Sequence, residues 1–180
     1  MIYIFLANGF EEIEALTPVD VLRRGGAEVV TVGVGSRTIK GSHGITVTAD
    51  IEDSQLTDFT GAEAVVLPGG MPGTLNLDAC AKVQEALDWC EETGTLIGAI
   101  CAAPSILGKR GLLMGRKAIC YPGFEDKLDG SILADEYVCR DGNIITAKGM
   151  GVSLDFGLAL LNAVKGSAAA EKVRKSLQCR

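Results

Sequence analysis

Short runs of β-branched and aliphatic residues alternate with helical stretches from one end of this chain to the other, and that alternation limits the fold more than any other feature. Ile2 to Ala7 reads as a strand, followed by a Gly9 turn and a helix from about Glu11 to Arg24, which Gly25-Gly26 ends. Glu28 to Val34 is the next strand, and Thr38 to Asp50 reads as a hairpin around Gly41-Ser42-His43-Gly44. Ala64 to Leu67 is a buried strand that stops at Pro68-Gly69-Gly70. A long helix from about Asp78 to Glu92 leads through Gly94 into the strand Thr95 to Ile100. Cys101 opens a helix to about Gly111, then comes a strand near Lys117 to Cys120 and a hairpin joining Glu136–Cys139 to Ile144–Ala147. Helices from about Ser153 to Val164 and Ala168 to Gln178 complete the pattern. Such alternation predicts an α/β fold, a mostly parallel sheet covered by helices on both faces with right-handed crossovers. Ligands in such sheets bind beyond the carboxyl ends of the strands. Three features fall at such ends: the Gly9-Phe10-Glu11-Glu12 turn, Pro68-Gly69-Gly70, and Cys101.

Composition narrows the classes. With 180 residues, 47% of them hydrophobic, the chain can bury a sizeable core as one domain over residues 1–180. No apolar run is long enough to cross a bilayer, and the first residues lack the basic segment of a signal peptide. A cytoplasmic protein without a membrane partner is expected. The net charge of −6 and scattered Lys and Arg offer no stripe for nucleic acid. Six cysteines (Cys80, Cys90, Cys101, Cys120, Cys139, Cys179) form no C-x-x-C pair and no metal-ligand spacing, so free thiols and no metal are expected.

Chemistry concentrates at Cys101. The segment Leu96 to Ser105 runs from strand to helix like the nucleophile elbow of hydrolases, with Cys in place of Ser. Small neighbours Ala99, Ala102 and Ala103 tolerate a strained backbone, and Pro104 sits where its missing N–H does no harm. A thiol at a helix start faces unpaired N–H groups, which predicts a lowered thiol pKa. The N–H groups of Gly70 and Ala102 could together hold an oxyanion. Glu14, four residues before Pro18, should lie where the first helix kinks. Pointing inward, it would stay protonated near neutrality and serve as general acid and base. His43 is the single histidine, on a hairpin remote from Cys101 in sequence, and reads most simply as a surface residue.

Four motifs in order, Gly9-Phe10-Glu11-Glu12-Ile13-Glu14-Ala15 with Pro18 to Arg24, Val65 to Gly70, Ala99-Ile100-Cys101-Ala102-Ala103-Pro104, and Lys148-Gly149-Met150-Gly151, make the chain resemble the ThiJ/PfpI superfamily (class I glutamine amidotransferase-like domains). Within it, the chain resembles the DJ-one branch of glyoxalase- and deglycase-like proteins. The resemblance implies a flavodoxin-like three-layer sandwich and a homodimer, for which the first helix with Asp20, Arg23 and Arg24 is a plausible face. It also implies that Cys101 is the oxidisable nucleophile, Glu14 its protonated partner, and Gly70 and Ala102 its backbone donors. Two positions depart from the branch: Tyr121 stands where relatives often carry a His, and His43 where they tend to carry an Arg. Both are accessory candidates. The amidotransferase and protease branches need a His paired with Cys, and the protease position directly after the nucleophile is Ala102 here. The implied activity is a cofactor-free, Cys-dependent glyoxalase III or deglycase, acting on an α-oxoaldehyde or a glycated protein in stress protection. The alternative is a redox-sensing or chaperone-like protein whose Cys101 oxidises to sulfinate without significant turnover.

Overall fold

The computed structural model describes residues 1–178; Cys179 and Arg180 lie outside the described residues. Its centre is a seven-stranded sheet of order β10-β11-β7-β6-β1-β2-β5. These strands are β1 (Ile2–Leu6), β2 (Val29–Gly33), β5 (Ile51–Glu52), β6 (Ala64–Leu67), β7 (Leu96–Ile100), β10 (Val138–Asp141) and β11 (Ile144–Ala147). All pairings are parallel except the β10–β11 hairpin at one edge. The β3 (Thr38–Lys40) and β4 (Thr46–Thr48) hairpin stands apart, as expected from the Gly41–Gly44 turn.

Every residue of β1, β6, β7 and β11 is buried, which is the signature of strands covered on both faces. Side chains alternate between two cores. Ile2, Ile4 and Leu6 join Val66 and Ile100 beneath α1 (Glu12–Arg24), α5 (Ser153–Lys165) and α6 (Ser167–Ser176). Tyr3, Phe5, Val65, Leu67 and Ile97 pack on the other face with α2 (Gly73–Ala79), α3 (Ala81–Thr93) and α4 (Pro104–Lys109). The result is a flavodoxin-like three-layer sandwich. The run β2-β1-β6-β7-β11 follows the order in which the connection reverses direction between β1 and β6, so a crevice opens at their carboxyl ends.

Three details differ from the sequence reading. The single helix expected from Asp78 to Glu92 is two, broken at Cys80, whose backbone is extended (ψ 118°). The break is held because the Gln84 side chain donates to the Asp78 carbonyl at 2.8 Å. The strand near Lys117 leaves the main sheet: β8 (Lys117–Ala118) pairs with β9 (Ile132–Leu133), while the Ile119 N–H donates to Thr146 Oγ1 at 2.9 Å. The short edge strand β5 has too few residues to show a period and was not anticipated. Helix α1 is continuous through Pro18, and Gly157 lets α5 pack close beside that residue; a Cβ there would come within 3.2 Å of the Pro18 Cα.

Candidate active site

The crevice is built by backbone before side chains enter it. Cys101 follows β7 with φ 64°, one of two described non-glycine residues in the left-handed region, so the turn is a strained elbow. It is held from both sides. Its N–H donates to the Ala147 carbonyl at 2.9 Å, and its carbonyl accepts from the Tyr121 N–H at 2.8 Å. Gly69 and Gly70 bring the β6 end against this elbow. A Cβ on Gly69 would lie 2.6 Å from Glu14 Oε2 and 2.7 Å from the Cys101 Cβ, so no larger residue fits. Gly70, at φ 90°, presses on the Gly9–Glu11 backbone of the β1 end.

Helix α1 brings in the carboxyl group. Glu11 caps it, its carboxylate accepting from the Glu14 N–H at 2.7 Å. Glu14 then points inward and is 1% exposed. Its carboxyl accepts from the Gly69 N–H at 3.0 Å and from the Met150 N–H, and pairs with the Cys101 side chain. Burial pushes Glu14 up to about 7; the negative charge of Glu11 adds to this, and the hydrogen bonds from Cys101, Gly69 and Met150 oppose it. The Ala102 and Gly70 N–H groups face the Cys101 sulfur. The structure therefore brings together Cys101, Glu14, Gly70 and Ala102, from three segments that are far apart in sequence.

The expected lowering by a helix start meets opposing causes. With Glu14 ionised, the thiol of Cys101 is pushed up to about 12, first by burial and then by the charge of Glu14 and its hydrogen bond, with Ala102 and Gly70 only partly opposing. Helix α4 begins three residues later, at Pro104, and spans six residues, so its dipole is short and displaced from the sulfur. The charge of Glu14 acts on the thiol only once that carboxyl has ionised. The pair thus holds two protons in acid and releases them in two well-separated steps.

The accessory candidates fall elsewhere. His43 lies on the β3–β4 turn, its Nδ1 3.0 Å from Glu12 Oε2 and 3.9 Å from Glu11 Oε1. Its partners are thus the neighbouring carboxylates of α1. Tyr121 is tied to the site by its backbone, while its half-exposed ring leans on Gly149. Glu12 was missed by the sequence reading. Although nearly buried, it accepts from the His43 N–H at 2.8 Å and the Ile45 N–H at 3.3 Å and fixes the hairpin to the mouth of the crevice. Burial alone would raise Glu12, but its bonds from the His43 ring and from backbone N–H groups hold it below the usual carboxylate range. Glu11, Glu12 and His43 set one ligand atom each within 4.8 Å of one another, a donor set of metal-binding type. Of the five described cysteines, Cys101 alone is not fully buried. Cys90 and Cys120 are pushed up by burial to about 12 and about 11.

The DJ-1/PfpI family model matches residues 1–163. The chain is 38% identical to Protein DJ-1 homolog B of Arabidopsis thaliana over 97% of its own length, and spans 40% of that relative. It thus covers less than half the length of the plant relatives it matches. It is 31% identical to the Glutathione-independent glyoxalase DJR-1.2 of Caenorhabditis elegans, over 93% of this chain and 89% of that one. Among solved structures, oxidized Toxoplasma gondii DJ-1 superposes with a TM-score of 0.94 at 33% identity, covering 99% of this chain and 97% of that one. The order of the strands, the elbow at Cys101 and the match over residues 1–163 agree: this chain belongs to the DJ-1/PfpI family.

Proposed function

We propose that this protein is a cofactor-independent, Cys-dependent glyoxalase that converts an α-oxoaldehyde to a 2-hydroxy acid. One observation carries the reading: a carboxyl group that keeps its proton up to about 7 is paired with the side chain of a strained, partly accessible cysteine. Between the two ionisations the pair carries one negative charge. We place it on sulfur, because the Gly70 and Ala102 N–H groups face the sulfur while Glu14 can donate its proton to it.

The thiolate adds to the aldehyde carbon, forming the C–S bond while the carbonyl electrons move to oxygen. The Gly70 and Ala102 N–H groups hold that oxyanion until Glu14 protonates it, giving a hemithioacetal. The Glu14 carboxylate next takes the proton from the same carbon, and the electrons pass through an enediol. It returns the proton to the adjacent carbon, leaving a 2-hydroxy thioester. Water cleaves the thioester, releasing the hydroxy acid and restoring the thiol. One carbon is oxidised and its neighbour reduced, so no external oxidant or cofactor enters. The test is methylglyoxal consumption and lactate formation by wild type, Cys101→Ser and Glu14→Gln. The serine variant should lose about a thousandfold or more. Equal rates in all three would end the proposal.

A second reading is favoured by Cys101 being the least buried of the described thiols. Oxidation by peroxide would yield a sulfinate that the same N–H groups and the protonated Glu14 could bind. Mass spectrometry after mild peroxide should then find Cys101 oxidised first, and indiscriminate oxidation would remove the reading. Ile13 and Leu16, exposed on α1, support a homodimer through that helix, which a monomer in sedimentation at micromolar concentration would exclude.

A further inference from the structure

A second cleft, of about 330 Å³, opens beside the crevice between the β8-side loop and the start of α5. It lies at the small end of the range for small-molecule pockets, roughly 300–1,000 Å³. Tyr121, Pro122, Tyr137, Met150 and Val152 make its walls. The three largest are held open to solvent: Tyr121 is 50% exposed, Tyr137 66% and Met150 51%. Apolar and aromatic walls of this kind suit an apolar guest.

Gly149 joins this cleft to the reacting groups. A Cβ on Gly149 would stand 3.1 Å from Tyr121 Cδ2 and 3.9 Å from Glu14 Oε1, so the Tyr121 ring and the carboxyl border the same space beside this bare glycine. The Tyr121 N–H is bonded to the Cys101 carbonyl, and the Met150 N–H to Glu14. Two walls of the cleft are thus fixed to the two groups that would act on the aldehyde. At the rim the Lys148 ammonium lies 4.9 Å from the centre of the Tyr137 ring. That cation already occupies the face on which an aromatic wall would otherwise receive a guanidinium or ammonium.

We propose that the Tyr121–Tyr137–Met150 cleft is the subsite for the apolar substituent of a free 2-oxoaldehyde, aryl or bulky alkyl, and that Lys148 turns away cationic guests such as an aldehyde-modified arginine side chain. The assignment rests on the glyoxalase reading and narrows its substrate class. An aryl 2-oxoaldehyde would place its carbonyl carbons against Cys101 and its ring against Tyr121 and Met150. The cationic stem of a modified arginine would meet the ammonium instead.

Binding and turnover test this separately. Methionine methyl NMR, with Met150 assigned through Met150→Leu, follows titration of the wild-type protein with mandelate, lactate and a peptide bearing methylglyoxal-modified arginine. Mandelate should shift Met150, and lactate or the peptide should leave it still. Kinetics with phenylglyoxal and methylglyoxal should give a kcat/KM ratio of about ten or more in favour of the aryl aldehyde, falling toward one in Tyr137→Ala. Methylglyoxal turnover with a ratio near one and an unmoved Met150 would remove the subsite and leave the activity. A mandelate-shifted Met150 in a protein that consumes neither aldehyde would remove the activity and leave an apolar anion site. A Met150 signal that moves with protein concentration instead of ligand would show that a second copy covers the cleft, and would overturn the assignment.

Discussion

Glu12 and Glu14 stand two residues apart at the start of one helix, both almost inaccessible, yet their acidities move in opposite directions. Glu12 faces the β3–β4 turn, where backbone N–H groups and the His43 ring stabilise its charge. Glu14 faces the floor of the crevice, where burial and the charge of Glu11 outweigh the N–H groups of Gly69 and Met150. Burial disfavours both anions; donors decide which one survives. The first carboxylate fastens a loop, and the second is free to carry a proton near neutrality.

That contrast can be broken at either end. The largest effect is expected from Glu14→Gln on turnover: kcat for methylglyoxal should fall about 10²–10⁴-fold, because the amide cannot shuttle a proton. Unchanged kcat would remove Glu14 from the chemistry. The same substitution should act oppositely on stability. The first proton of the Cys101–Glu14 pair, held from 4.5 up to about 7, favours the folded protein fully below the unfolded carboxyl value, and this contribution is lost as pH rises through about 7. Glu14→Gln should therefore be more stable than wild type above that range by on the order of 3 kcal/mol, the two converging toward pH 4.5 in denaturant titrations. A constant difference across pH would contradict the buried neutral carboxyl.

Glu12→Gln should do the reverse and by less. Its depressed acidity stabilises the fold above the unfolded value near 4.5 and is lost as pH falls through the lower folded value. The variant should lose about 1–3 kcal/mol at neutral pH, with faster amide exchange at His43 and Ile45, and match wild type in strong acid. The smallest change belongs to His43→Ala. The exposed His43 ring is raised through its hydrogen bond to Glu12, so any stabilisation is complete below its unfolded value of 6.5 and disappears as pH climbs past the raised one. A larger loss in His43→Ala than in Glu12→Gln would mean that the ring, not the carboxylate, anchors the turn.

The sheet was legible because strands covered on both faces leave continuous aliphatic runs, as Ala64–Leu67 and Leu96–Ile100 do. The Cys80 break was not, because it depends on a side-chain bond from Gln84 across the break. At the site, Cys101 and Gly70 announced themselves through turn chemistry that small residues permit. The acidity of Cys101 did not: local pattern showed a strand-to-helix turn, but not the six-residue length of α4 nor the carboxyl brought in from a helix nearly ninety residues away. Glu12 looked like an ordinary first-turn acid, and only the fold of the β3–β4 turn onto it reveals its use. The Tyr121 and Tyr137 cleft joins residues from two loops that no single motif spans.

The account turns on where the single negative charge of the Cys101–Glu14 pair resides. The most direct measurement is the ultraviolet thiolate absorbance of Cys101 against pH, isolated by subtracting Cys101→Ser, with the infrared band of the protonated Glu14 carboxyl followed in parallel. A thiolate signal that rises as pH passes through about 7 while the carboxyl band persists is the predicted result. A carboxyl band that vanishes there while sulfur stays protonated into strong alkali would contradict it.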